Sequence, residues 1–108
     1  MCGRLCGTDR ISRLLGPGEH FVLRAKGESM IGAGISDGDA VIVRRQTHAE
    51  EGQIVVALLE EESTLKRFFL DRKSGRVRLH PENPEMQDIF CDTVAIRGVA
   101  VKVLRDLV

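Results

Sequence analysis

An all-β domain, with its strands in a folded sheet or a barrel-like arrangement, is predicted by three features of the sequence. Short runs rich in β-branched and other apolar residues recur along the chain. Clusters of glycine, proline, asparagine and aspartate separate these runs, as is typical of all-β domains. From residue 20 onward, no segment keeps the apolar period of a helix. The length of 108 residues indicates one compact domain.

The chain begins with a short N-terminal arm, predicted over residues 1–18. Residues 9–15 are the one segment that could form a short helix, since Ile11, Leu14 and Leu15 would share a side of it. The Gly-Pro-Gly sequence at residues 16–18 closes the arm. The domain itself is predicted to occupy residues 19–108.

Within the domain, the apolar runs and the turn signals between them predict about seven short strands. The Ser-Asp-Gly-Asp sequence at residues 36–39 is a strong turn signal, and Pro81, Asn83 and Pro84 enforce a loop. The acidic Glu-Glu-Glu-Ser sequence at residues 60–63 is predicted to form a hairpin tip, and Gly98 a bulge in a long last strand. The strands are predicted over residues 20–25, 40–45, 53–59, 64–70, 76–79 and 93–104.

Composition excludes several classes of protein. The chain has 16 Lys and Arg and 16 Asp and Glu, so it lacks the basic excess that phosphate binding needs, and we expect no direct nucleic-acid binding. No window is long and apolar enough to span a membrane, and the first ten residues lack the apolar core of a secretory signal. These features predict a cytoplasmic protein.

Neither a metal site nor a cofactor is predicted. The three cysteines, Cys2, Cys6 and Cys91, are an odd number and indicate free thiols in a reducing compartment. Cys2 and Cys6 have no second Cys/His pair that would complete a zinc site. The three histidines are scattered along the chain, as ordinary surface or loop residues are.

Two residues could carry chemistry. Ser29 follows the first strand and precedes a glycine-rich segment, where a serine on a tight turn would lie near backbone N–H groups; most such triplets, however, are plain turns. Lys66 lies in the run 64–70, whose two faces are both mostly apolar. Its ammonium either reaches solvent or is partly buried, and burial would lower its pKa and suit it as a general base. Arg67 cannot serve as a base because its guanidinium stays protonated.

Four segments of the sequence resemble the LexA and UmuD family of self-cleaving serine peptidases. GESMIGAGISDGD at residues 27–39 is similar to the family's nucleophile segment, and STLKRF at residues 63–68 to its lysine strand. LHPENPEM at residues 79–86 and IRGVAVKVLR at residues 96–105 resemble the loop and the closing strand of LexA-type repressors. Ser29 and Lys66 are separated by the interval that the family pattern requires.

The resemblance implies a fold, an activity and partners. It implies a LexA-type peptidase domain in which Ser29 is the nucleophile, neutral Lys66 is the general base, and the backbone N–H groups of Ser29 and Met30 stabilise the oxyanion. The substrate would be an Ala-Gly or Cys-Gly bond in the protein's own chain. The family forms homodimers, and the RecA filament on single-stranded DNA promotes its cleavage.

The N-terminal arm resembles the family's cleavage segment in the sequence GRLCG, so Cys6–Gly7 is the candidate scissile bond. The arm is shorter than in the family, and the helix-turn-helix domain of a complete repressor is not seen. The arm could therefore be a remnant of the cleavage segment rather than a substrate.

Four hypotheses remain open from the sequence. The first is the peptidase domain of a LexA-type repressor of the SOS response to DNA damage. The second is a UmuD-like accessory subunit of a translesion polymerase, which the GISDGD sequence favours. The third is an idle dimerisation domain of the same fold, and the fourth is a relative of signal peptidases, against which the absence of a membrane anchor counts.

Overall fold

The computed structural model describes residues 13–106 and confirms the all-β prediction. Its seven strands form one sheet in which every neighbouring pair is antiparallel, in the order β1-β2-β7-β3-β4-β5-β6. The last strand therefore lies between the second and the third, and the sheet has β1 and β6 at its edges. The strands are β1 (His20–Arg24), β2 (Ala40–Arg45), β3 (Ile54–Leu59), β4 (Glu62–Asp71), β5 (Arg76–His80), β6 (Ile89–Cys91) and β7 (Ala95–Leu104).

Helical structure is confined to short pieces of the described chain. A 3₁₀ turn covers Ile31–Ala33, which the sequence did not predict, and residues 13–15 are helical. The remainder of the helix predicted over residues 9–15 lies outside the described residues, so the division into an arm and a domain stays a prediction. None of the helical structure in residues 13–106 is long and apolar enough to cross a membrane.

The predicted strands are found within a few residues of their expected ends, with two corrections. The hairpin tip is narrower than residues 60–63: Glu60 and Glu61 make the turn with positive φ angles of 48° and 72°, whereas Glu62 and Ser63 already pair with β3. Two positive φ values in succession are characteristic of the tight hairpin turn that matches the twist of the strands. The second correction is β6, which was not predicted.

The bulge predicted near Gly98 is confirmed. The register of β7 shifts once against β2 and once against β3. At Gly98, a β-carbon would lie 2.5 Å from both the Arg44 carbonyl oxygen and the Val43 Cγ1. Glycine is therefore required there because the backbone of β2 approaches too closely for any side chain.

Two apolar clusters lie on opposite faces of the central strand β3. Val56 belongs to the first cluster, and its neighbours Val55 and Ala57 belong to the second, as the alternation of a strand requires. The first cluster is also covered by Met30 and Ile35, which come from the segment between β1 and β2. Burial of these two side chains attaches that segment to the sheet and so fixes the surroundings of Ser29.

Candidate active site

Ser29 lies on a turn that its own neighbours hold in shape. The turn begins at Gly27, whose φ of 80° favours glycine, and the Gly27 N–H donates to Asp37 Oδ1 at 2.7 Å. Met30, only 2% exposed, is inserted into the first apolar cluster, and its carbonyl oxygen accepts hydrogen bonds from the Ala33 and Ile35 N–H groups. Ser29 itself is half-buried, so its hydroxyl is fixed in position but still accessible.

Lys66 on β4 is brought to Ser29 from far along the chain. Its Nζ lies 3.4 Å from Ser29 Oγ, 2.7 Å from Thr64 Oγ1 and 3.2 Å from the Leu65 carbonyl oxygen. Thr64 and Lys66 are two residues apart on one strand, so their side chains share a face. The sequence-predicted residues Ser29 and Lys66 are therefore adjacent in space.

The surroundings of Lys66 disfavour its charge. Lys66 is 8% exposed, and burial lowers the pKa of its ammonium below the ordinary lysine value. Among the described residues, no carboxylate forms an ion pair with it, and its three neighbours are all neutral oxygens. A lysine in such a site releases its proton more readily than one in water, and its neutral amine can accept a proton from a hydroxyl.

A cleft of about 480 Å³ opens beside Ser29. Residues 23–27, at the end of β1, line one side of it, and residues 62–65, at the start of β4, line another. Met30, Ile35 and Val56 supply apolar lining. A cleft between two strands is suited to an extended peptide segment, which has its own backbone donors and acceptors to satisfy.

The backbone near Ser29 has donors to offer. Within residues 13–106, the N–H groups of Ser29 and Met30 donate no hydrogen bond to another residue. N–H groups in such a position can stabilise an oxyanion, and this role of the two residues stays a prediction.

An ion pair between the buried Asp39 and the exposed Arg105 lies at the end of the segment that carries Ser29. Asp39 is 6% exposed and accepts hydrogen bonds from the Ser36 N–H at 2.8 Å and from Arg105 Nε at 3.0 Å. Arg105 also donates to the Gly34 carbonyl oxygen at 2.8 Å. The Arg105 guanidinium holds the pKa of the Asp39 carboxyl well below its usual range, at about 2.

A second set of contacts comes from the loop after β5. The Glu82 carbonyl oxygen accepts from the Gly32 N–H at 2.7 Å, and Asn83 Nδ2 donates to the Glu28 carbonyl oxygen at 2.8 Å. The Glu82 carboxylate accepts from Arg67 Nε at 2.8 Å. No role at the site was predicted for Thr64, Asp39, Asn83 or Arg105. The turn and loop signals at residues 36–39 and 81–84 pointed only to the neighbourhoods of Asp39 and Asn83.

Two other expectations concern the rest of the chain. No group of three or more His, Cys, Asp or Glu residues within residues 13–106 is arranged to hold a metal ion. The candidate scissile bond, Cys6–Gly7, lies outside the described residues, so its position relative to the cleft stays a prediction.

With this fold and this site described, the chain can be compared with known proteins. Residues 8–101 match the model of the Peptidase S24-like family, so the chain belongs to that family. The family membership predicted from the four sequence segments is thereby confirmed.

Three curated relatives of the chain are named as LexA repressors. The chain is 56% identical over 95 residues to a LexA repressor of Syntrophotalea carbinolica, a match that covers 85% of the chain and 46% of the relative. It is 51% identical over 92 residues to a LexA repressor of Pelotomaculum thermopropionicum, covering 85% and 44%. A LexA repressor of Lacticaseibacillus casei is 53% identical over 88 residues, covering 81% and 41%. The chain spans less than half the length of these curated relatives.

Proposed function

We propose that this chain is the self-cleaving peptidase domain of a LexA-type SOS repressor, with Ser29 as the nucleophile and Lys66 as the general base. The observation that carries the proposal is the contact of Lys66 Nζ with Ser29 Oγ at 3.4 Å inside a site that depresses the lysine pKa. Hydrogen-bond contact between a nucleophile and a base whose pKa is lowered is the arrangement that nucleophilic catalysis needs.

The reaction follows from this geometry. The neutral amine of Lys66 takes the proton of Ser29 as Oγ attacks the peptide carbonyl carbon. The N–H groups of Ser29 and Met30 stabilise the negative oxygen of the tetrahedral intermediate. The Lys66 ammonium then gives its proton to the leaving amine, which leaves an ester on Ser29, and a water activated by the same amine hydrolyses that ester.

Thr64 assists by orienting the base. At 2.7 Å from Nζ, its hydroxyl makes the shortest of the three contacts of Lys66. Because the Thr64 hydroxyl and the Leu65 carbonyl oxygen hold the amine from the strand side, Nζ is kept within reach of Ser29.

The substrate, partners and location are proposed on the family resemblance. The bond cut is Cys6–Gly7 of the chain's own arm, or an Ala-Gly bond in a segment of the same type supplied by another molecule. The domain forms a homodimer in the cytoplasm, and the RecA filament on single-stranded DNA stimulates its cleavage. DNA binding is not assigned to this domain, whose 16 basic and 16 acidic residues balance.

A UmuD-like polymerase subunit is the alternative that one observation favours, namely the GISDGD sequence at residues 34–39. The names of the relatives described above favour the repressor instead. Both alternatives use the same pair of residues, so the cleavage chemistry does not depend on which of them holds.

The experiment is a cleavage assay across pH. The 108-residue chain is incubated between pH 7 and pH 10.5, alone and with a peptide that carries the family's Ala-Gly bond, and the products are identified by mass. Cleavage is expected to rise with pH as Lys66 loses its proton. Ser29→Ala and Lys66→Ala should each lower the rate by at least about 1000-fold.

Each outcome has a meaning. Full activity in either variant contradicts the assignment of Ser29 and Lys66. Cleavage of the peptide with an intact N-terminus shows that the arm does not present its own bond. If neither substrate is cut at any pH, the domain is catalytically idle.

A further inference from the structure

The loop after β5 makes hydrogen bonds to the turn that carries Ser29, on both sides of the serine. We call residues 81–86 the anchor loop. Asn83 Nδ2 donates to the carbonyl oxygen of Glu28, one residue before Ser29. The carbonyl oxygen of Glu82 accepts a hydrogen bond from the N–H of Gly32, three residues after Ser29. The turn between these two points therefore cannot shift without breaking a hydrogen bond.

The side chain of Asn83 is oriented before it meets Glu28. Its Oδ1 accepts from the Glu85 N–H at 2.9 Å, and its carbonyl oxygen accepts from the Met86 N–H at 3.0 Å. An amide whose oxygen is fixed by its own turn can direct its NH₂ in only one way. The donor is thus aimed at the Glu28 carbonyl oxygen by the local turn.

The anchor loop is also tied to the strand that carries the base. Arg67 follows Lys66 on β4, and its Nε donates to Glu82 Oε1 at 2.8 Å. The same guanidinium donates to the Gly52 carbonyl oxygen, and Pro81 at the start of the loop is fully buried. One continuous set of contacts therefore runs from the Ser29 turn through the anchor loop to the residue beside Lys66.

Close packing leaves this set of contacts little freedom. A β-carbon on Gly32 would lie 2.7 Å from the Glu82 carbonyl oxygen, so the turn and the loop touch at the backbone. The separation of Ser29 Oγ and Lys66 Nζ is 3.4 Å, at the long limit of a hydrogen bond. A small outward movement of the turn would end that contact.

We infer that Asn83 is a positioning residue for Ser29: through the Glu28 carbonyl oxygen it sets the distance between the nucleophile and its base. The inference rests on the proposed function. Asn83 touches neither reacting group, and its effect passes through the backbone of residues 28 and 29. Its loss is expected to lower the cleavage rate without altering the protonation of Lys66, because burial of the lysine is what lowers its pKa.

The test is Asn83→Asp, which has almost the same shape. The carboxylate keeps an acceptor for the Glu85 N–H but cannot donate to the Glu28 carbonyl oxygen. The matched control is Asp88→Asn, the reverse exchange at the end of the same connection, where the carboxylate contacts Arg78 and His80 rather than the Ser29 turn. Both variants are assayed across pH on the peptide substrate, beside the unchanged chain, Ser29→Ala and Lys66→Ala.

The expected result is a drop of about 10-fold or more in the limiting rate of Asn83→Asp, since small misplacements of reacting groups are costly. The pH midpoint of its cleavage should match that of the unchanged chain, and Asp88→Asn should cleave at the unchanged rate. If Asn83 had a merely structural role, its loss would instead expose Lys66 to water. The pH midpoint of cleavage by Asn83→Asp would then move towards the ordinary lysine value, and this shift would overturn the inference.

Failure of the inference and failure of the proposed function are distinguishable in this series. If the unchanged chain cuts and Asn83→Asp cuts equally fast, only the positioning role is wrong. If the unchanged chain does not cut, the proposed function is wrong and the positioning role falls with it. Should Asn83→Asp fail to fold, Asn83→Ser replaces it, since a serine hydroxyl can accept from the Glu85 N–H but is too short to reach Glu28.

Discussion

Two polar clusters contact the segment between β1 and β2. One favours the charged form of its buried group, and the other disfavours it. Asp39 is buried, and its carboxylate is fully paired with Arg105 and the Ser36 N–H. Lys66 is equally buried but meets only neutral oxygens. The first arrangement favours the charged form of its acid and stabilises the fold. The second disfavours the charged form of its base, which costs stability and prepares a proton acceptor.

The difference shows that the charged group that stabilises this segment and the group proposed to carry out the chemistry are two separate residues. Paired charges at Asp39 keep the segment folded against the end of β7. The unpaired Lys66, which reaches Ser29 from β4, is the group that the proposed reaction needs. Four predictions follow the contrast from its largest expected effect to its smallest.

Lys66→Met should separate activity from stability most strongly. Cleavage should fall by at least about 1000-fold because the base is lost. The free energy of unfolding at pH 7 should rise by about 1 kcal/mol, because an apolar side chain replaces a buried, uncompensated charge. Urea unfolding and the cleavage assay measure the two effects.

The neighbouring residue supplies the control for that prediction. Arg67→Met removes a cation that is paired with Glu82, so it should lower the free energy of unfolding by about 1 kcal/mol. If both methionine variants change stability with the same sign, Lys66 and Arg67 are not in opposite electrostatic environments.

Asp39→Asn should show the reverse behaviour to Lys66→Met. Loss of the carboxylate leaves Arg105 without its partner and loosens the end of the segment, so Tm should fall by roughly 5 °C or more. Cleavage well below the new Tm should change far less than in Lys66→Met. Asp106→Asn is the matched control, since it removes the same charge from the exposed residue next to Arg105 and should leave Tm unchanged.

Thr64→Val tests the partner of Lys66 while keeping the shape of the side chain. The variant loses the oxygen that accepts from Nζ at 2.7 Å, so the limiting cleavage rate should fall by about 10-fold. Its pH midpoint should move down, because the hydroxyl favours the ammonium form of the lysine. Thr64→Ser should restore both values, and a failure of serine to do so would remove the hydroxyl from the mechanism.

The smallest predicted effect is on the stability of the chain at acid pH. The pKa of Asp39 is lowered from 3.8 to about 2 in the folded chain, so its contribution to stability is complete above pH 4 and is lost as the pH falls towards 2. Unfolding followed between pH 5 and pH 2 should therefore be steeper for the unchanged chain than for Asp39→Asn. Equal slopes would show that the pair with Arg105 does not depress this pKa.

The strands could be predicted because their information is local. The run at Ala40–Arg45 is β-branched between turn signals, and its predicted and observed ends agree. The short edge strand Ile89–Cys91 could not be predicted in this way. Its residues Ile89 and Phe90 are both exposed, so no alternation marks it, and it forms only because β5 offers an unpaired edge.

The candidate site likewise contains residues that the sequence could predict and residues that it could not. Ser29 and Lys66 stand out as a serine on a turn and a lysine in an apolar strand, and their family resemblance joins them. Asp39 and Arg105 gave no such signal, because their contact links the residue before β2 to the residue after β7. Asn83 reaches Glu28 across a similar span of chain. Contacts of this kind depend on the sheet order, in which the last strand lies beside the second, and no local pattern encodes that order.

The most direct test of the central claim is the pH dependence of cleavage by the unchanged chain, with the protonation of Lys66 followed in the same samples by NMR of its Nζ. The account predicts one rising transition in the rate, and its midpoint should coincide with the lysine titration at a pH below the ordinary lysine value. A lysine that titrates at its ordinary value, or a rate transition that does not follow it, would contradict the claim that burial makes Lys66 the base for Ser29.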